Sequence, residues 1–101
     1  MTDHAVYTEI DIERAKLLPV FEAARAVRDE DVPRFRDEGT CVLGAGIAIY
    51  YRAPRQRKPS IRVIVDAPFQ GNVGSARACE RALKLLRNSG VDAFWHDGRM
   101  D

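Results

Sequence analysis

Apolar residues crowd most densely from Cys41 to Tyr51, where eleven positions pass without a charge. A run of that length and composition predicts a strand in the middle of a sheet, covered on both faces or nearly so. Its two parities differ. Leu43, Ile47, Ile49 and Tyr51 are large, whereas Gly44, Gly46 and Ala48 are small until Tyr50. The small parity predicts a face that a helix backbone approaches closely. A second strand is predicted over Ser60–Ala67, with Ile61, Val63 and Val65 alternating. The segment 53–59 between them, bounded by Pro54 and Pro59, reads as a long hairpin loop.

Helical periodicity dominates elsewhere. Leu17, Leu18, Phe21, Ala24 and Val27 form a stripe within 12–28, with Asp11 as the expected N-cap. Pro19 lies inside that stripe. It predicts either a restart with Pro19 in the first turn of a new helix or a kink in one helix. Residues 32–37 read as a short extra turn closed by Gly39. A last helix, capped at Gly74 or Ser75 and running to Asn88, carries Ala76, Cys79, Ala82, Leu83 and Leu86 on one face. Ser89-Gly90 stops it. Alternation over Ala5–Ile10 predicts a short first strand, and Val91–Trp95 a short last one, followed by the turn Asp97-Gly98 and a two-residue tail.

The order is then β-α-β-β-α-β over one small α+β domain spanning residues 1–101. The expected fold is a ferredoxin-like sandwich, an antiparallel sheet with both helices on one face. Without the first strand, the same elements give three strands with helices packed on them. This scaffold carries many unrelated functions, so topology alone names none.

Composition narrows the picture. A hydrophobic fraction of 46% suits a globular chain, and no apolar run approaches the roughly 20 residues that span a bilayer. The first ten residues lack a basic stretch followed by an apolar one, so no secretory signal is expected and the cytoplasm is the expected location. Cys41 and Cys79 read as free core thiols. With no C-x-x-C and two histidines, neither a metal site nor a cofactor is expected.

Charge adds the main functional signal. The net charge of +1 hides an asymmetry: residues 1–40 hold ten acids against six bases, and residues 41–101 five acids against ten bases. Five bases fall in 52–62 with no acid among them: Arg52, Arg55, Arg57, Lys58 and Arg62. A hairpin tip of this kind attracts phosphates, arginine adding a planar fork for bidentate pairing. Tyr50 at its base is placed to stack on a base. Arg77, Arg81 and Lys84 on the last helix extend the same basic surface if both elements face one side. The bland alternative is two solvated charged faces balanced by the acidic first forty residues. RNA-binding modules of the ferredoxin-like type stack bases on aromatics of two central strands. Their Lys/Arg-Gly-Phe-Gly-Phe type motif is absent here, so the resemblance extends to topology alone.

A second candidate is the loop Gln70, Gly71, Asn72, Val73, Gly74, Ser75 entering a helix. Glycines and the N–H groups of a helix start suit an anion. The loop is neither a P-loop nor a dinucleotide fingerprint. Phe69-Gln70-Gly71 with Arg77 resembles the acylphosphatase signature in outline. There the loop follows the first strand and the arginine sits closer, so no residue is carried over. Trp95-His96-Asp97 offers a base with an adjacent acid but no nucleophile. The favoured reading is a non-enzymatic binding module for nucleic acid or another polyanion. The alternatives are a protein-interaction module, self-paired or mixed, using the sheet, and a phosphate-ligand protein or small enzyme using 70–77. No membrane partner is expected.

Overall fold

The computed structural model describes residues 3–100. The elements in chain order are β1 (Val6–Tyr7), α1 (Glu9–Arg14), α2 (Leu17–Asp31), a single 3-10 turn (Val32–Arg34), β2 (Val42–Leu43), β3 (Gly46–Tyr51), β4 (Ser60–Asp66), α3 (Asn72–Ala78), α4 (Glu80–Asn88), β5 (Phe94–His96) and β6 (Arg99–Met100). The fold is mixed α+β. None of the described helices is long and apolar enough to cross a membrane.

Local chemistry explains the boundaries. Thr8, not Asp11, caps α1. The Thr8 hydroxyl accepts from the Asp11 N–H at 3.2 Å, and the Asp11 carboxylate accepts from the Thr8 N–H at 3.0 Å. This reciprocal capping box starts the helix at Glu9 and cuts the first strand to two residues. Lys16 then adopts a left-handed conformation, φ 53°, which separates α1 from α2. Pro19 falls in the first turn of α2, where its missing N–H would have no helical partner anyway. The expected strand 41–51 is two strands, because Gly44 turns the chain at φ 76°. The first half, Val42–Leu43, pairs antiparallel with Arg99–Met100, so the expected tail at Met100 is part of a two-stranded ribbon. Asp101 lies outside the described residues. The last helix bends at Cys79, ψ 0°, into α3 and α4.

β3 is the centre of the main sheet. β4 pairs antiparallel with one edge. The other edge is shared. β1 runs parallel against Tyr50 and Tyr51, and β5 runs antiparallel against Gly46–Ala48. The ferredoxin-like order would place the first strand between the Ser60–Asp66 strand and the last one. Here it pairs with β3 instead, and the sheet is not antiparallel throughout. The capping box at Thr8 limits β1 to two residues. Two residues cover only part of an edge, and β5 fills the remainder.

Both long helices pack on one face. Phe21 and Ala24 of α2, Cys79, and Ala82 and Leu86 of α4 meet Ile47, Ile49 and Val65, with Ile12, Leu17, Ile64, Val91 and Ala93 closing the cluster. The large parity of β3 therefore faces the helices, and the small parity faces away. This reverses the expectation from residue size. Ala82 is the small partner, so close approach is supplied from the helix side.

Candidate functional site

The β3–β4 hairpin carries the basic tip. Gln56 holds its turn, donating its N–H to the Ala53 carbonyl at 3.0 Å and accepting from the Ala53 N–H at 2.9 Å. Arg52, Arg55, Arg57 and Lys58 are exposed and have no ion-pair partner among the described residues. Arg62 is different. Its guanidinium donates to Glu9 Oε1 at 2.8 Å and lies 4.7 Å from the centre of the Tyr51 ring. The Tyr51 hydroxyl donates to the same oxygen at 2.9 Å. Arg62 first, and Tyr51 second, hold the Glu9 carboxyl below its ordinary range. The hydrogen bond to Glu9, and desolvation after it, in turn push the Tyr51 hydroxyl up. Arg62 thus ties the hairpin to α1, and the other four predicted cations have no acidic partner among the described residues.

Tyr50 lies on the sheet face turned away from the helices, and it is not alone there. Cross-strand neighbours share a face. Val6 pairs with Tyr50, Ile61 pairs with Tyr50 on the other side, and Phe94 pairs with Ala48. The Tyr50 and Phe94 ring centres are 5.0 Å apart, and His4 lies 5.0 Å from Phe94 and 5.4 Å from Tyr50. Val6 and Ile61 flank the rings, 39% and 42% exposed. Tyr50 was legible in the sequence. Phe94 and His4 were not, since their place depends on a pairing across the whole chain. Asp92 fixes that pairing. Its carboxylate accepts from the Ala5 N–H at 2.7 Å and lies 3.1 Å from His4 Nδ1. The Asp92 N–H donates to the Tyr7 hydroxyl at 2.8 Å. The Ala5 N–H, followed by His4, holds the Asp92 carboxyl below its ordinary range.

The last-helix cations stand apart from this face. Ala82 and Leu86 point to the sheet, so the exposed Arg81 and Lys84 lie on the outer side of the helix layer. Arg81 donates to Asp31 at 3.1 Å, a carboxylate only 3% exposed, and Arg77 sits 3.9 Å from Glu38. Lys84 has no acidic partner among the described residues. The tip and the helix stripe do not form one continuous surface.

The glycine loop is spoken for by the chain itself. The Gly71 N–H donates to the Asp37 carboxylate at 2.6 Å, the Asn72 N–H to the Thr40 carbonyl at 3.0 Å, and the Gly74 N–H to the Glu38 carbonyl at 3.0 Å. The Asn72 side chain accepts from the Thr40 N–H at 3.0 Å, the Gln70 carbonyl accepts from the Val42 N–H at 3.0 Å, and the Ser75 hydroxyl closes on Phe69. The glycines admit the 36–40 backbone. A Cβ on Gly71 would stand 2.1 Å from the Glu38 oxygen, and one on Gly74 2.0 Å from the Arg36 oxygen. An incoming phosphate would have to displace Asp37 first.

Other predicted chemistry is dispersed. Asp97 accepts from the Trp95 indole at 2.9 Å. Cys79 is a buried free thiol pushed up to about 11 by desolvation, whereas Cys41 is exposed rather than in the core. Among the described residues, no three of the histidines, cysteines and acids gather in a metal-binding group. Comparison with protein-family models, with curated proteins and with solved structures finds no match to this chain.

Proposed function

We propose that this chain binds single-stranded nucleic acid, its bases stacking on Tyr50 and Phe94 and its phosphates meeting Arg52, Arg55, Arg57 and Lys58. The observation that carries the reading is the pair of half-buried aromatic rings on the helix-free face of β3 and β5, with Tyr50 two residues before the start of an acid-free basic tip. Every base has a π-face, so such a platform needs no sequence motif. A duplex keeps its bases stacked on each other, which favours single strands here. Arg81 and Arg77 face acids and take no part.

Fluorescence anisotropy of labelled single-stranded RNA, single-stranded DNA and duplex DNA tests this at low and near-physiological salt. Four phosphate contacts give a log–log salt slope of about −3 for a single strand. Changing Arg55, Arg57 and Lys58 together to alanine should reduce that slope by about 2. Tyr50→Leu, which keeps the face apolar, should weaken binding about 5- to 100-fold, the loss of one stacked base. Absence of binding even at low salt would retire the proposal. Exposed Val6 and Ile61 beside the rings favour a second reading, contact between two copies through this face. A mass that rises with concentration in sedimentation, and falls back in Ile61→Lys, is its mark.

A further inference from the structure

We infer that Arg25 and Arg28 of α2 form a lock on the free edge of β4, and that the partner it shuts out is β4 of a second copy of this chain. The inference stands apart from the nucleic-acid reading, because the locked end of β4 is its Asp66 end and the basic tip lies at the other. Among the described strands β4 pairs with β3 alone, so its seven residues form the longest unpaired edge of the sheet. Main-chain N–H and C=O groups left open along an edge are a template for another strand. Ile61, Val63, Ile64 and Val65 are all β-branched, with Arg62 the one interruption, a composition that pairs with its own kind. Every copy carries the same edge, and a net charge of +1 does little to hold two copies apart. Protection has to come from the edge itself.

Two carbonyls of that edge are taken by α2. The Ala67 N–H donates to the Ala45 carbonyl at 3.1 Å. Residues 45 and 67 are therefore a bonded pair, and the main chain of Asp66, opposite Gly46, turns away from β3. Arg28 Nη1 donates to the Asp66 carbonyl at 3.0 Å. Ile64 has no partner on β3, because the register steps from Val65 opposite Ile47 to Val63 opposite Ala48. Arg25 Nε donates to the Ile64 carbonyl at 2.9 Å. Three residues along a helix rise about 4.5 Å and two along a strand about 6.7 Å, a mismatch that two long side chains absorb. Each guanidinium is also held from behind. Arg25 Nη1 donates to Glu22 at 2.6 Å, and Arg28 Nε donates to Asp29 at 3.0 Å. The planar fork serves a carboxylate and a carbonyl at once, which a lysine could not do with fixed geometry. A strand approaching this half of the edge meets two anchored side chains where it needs free acceptors. The bulge at Ile64 also breaks the regular spacing that a partner strand would have to match. None of Glu22, Arg25, Arg28 and Asp29 belongs to the core cluster, so the core does not account for the arrangement.

The test compares the parent with the double variant Arg25→Ala, Arg28→Ala. Removing two positive charges takes the net charge from +1 to −1, so its magnitude is unchanged and long-range repulsion stays the same. Sedimentation at rising concentration should give the double variant a mass about twice that of the parent or more, with an added intermolecular β-sheet band in the infrared amide I region. Arg25→Ala alone uncovers the Ile64 carbonyl and should associate more weakly than the pair. It decides the matter should the double variant melt early, and a mass equal to that of the parent then overturns the lock. A folded double variant whose mass follows that of the parent at every concentration overturns it as well. Association without the infrared band places the contact elsewhere and has the same force. A parent that already shows the band has an open edge, which also overturns the inference.

Discussion

Gly74→Ala is expected to destabilise the fold by about 3–4 kcal/mol, although it replaces a poor helix former with the best one. Gly74 lies in α3, and helix propensity alone would favour alanine by about 1 kcal/mol. The added methyl would stand 2.0 Å from the Arg36 carbonyl oxygen and 2.9 Å from the Glu38 nitrogen. Both are backbone atoms, so no rotamer change relieves the overlap. The 36–40 segment must move, and with it the hydrogen bonds from Gly74 to Glu38, Gly71 to Asp37 and Asn72 to Thr40. At about 1 kcal/mol each, and more for the bond to the carboxylate, they total about 4 kcal/mol. The overlap outweighs the propensity gain, and the loss is a large share of the roughly 5–15 kcal/mol that holds a domain folded. Urea unfolding followed by circular dichroism gives the comparison. Gly44→Ala is the control. Its Cβ meets nothing within 4 Å, and it bears only the strain of φ 76°, about 1 kcal/mol. A Gly74→Ala midpoint within experimental error of the parent would mean that the 36–40 segment is not packed as described.

Leu86→Ala is expected to cost about 2–5 kcal/mol, while Leu85→Ala one position earlier costs well under half as much. Leu86 is fully buried against Ile47, Ile49 and Phe21 in one cluster, and α2 closes over it, so the space left behind has little means of collapsing. Leu85 is half-buried at the rim of the groove between α2 and α4, where Val27, Arg81 and Lys84 also lie. Water fills a gap there. The denaturant slope should stay constant across both variants, since neither changes how much surface unfolding exposes. Equal losses at the two positions would contradict the orientation of α4, and with it the placement of Lys84 on the outer side of the helix layer.

What the sequence made legible was local. Periodicity located both helix regions and both long strands, and the alternation of size along β3 separated its two faces. It did not say which face the helices take, because size at one strand is matched by size on the partner. Thr8 and Asp11 compete for the cap, and only the spacing of three between them, read as a reciprocal pair, favours Thr8. The basic tip is a property of eleven consecutive residues and needed no fold to be seen. Phe94 and His4 join Tyr50 through a pairing of residues 88 apart, His4 with Asp92, for which no local pattern exists. The loop at 70–75 misled for a related reason. Glycines that admit a ligand and glycines that admit another stretch of backbone are the same letters. Only the position of Asp37 and Glu38 tells them apart.

The shared edge of β3 has a consequence for the path by which the molecule assembles. The β3–β4 hairpin and the α2–α4 packing bring Ile47, Ile49 and Val65 into one cluster, and Tyr7 and Trp95 pack against it from the two ends of the chain. The edge is completed only when β1 and β5 arrive from opposite ends of the chain, held by bonds whose partners are 85 to 88 residues apart. Closing so long a loop is entropically the most demanding step and the least rewarded, so it comes last in folding and is first to open. The rings of His4, Tyr50 and Phe94 meet across that seam. The surface proposed for nucleic acid is thus built across the contacts that close the longest loop of the chain. A ligand lying across it would slow that opening, as a staple does.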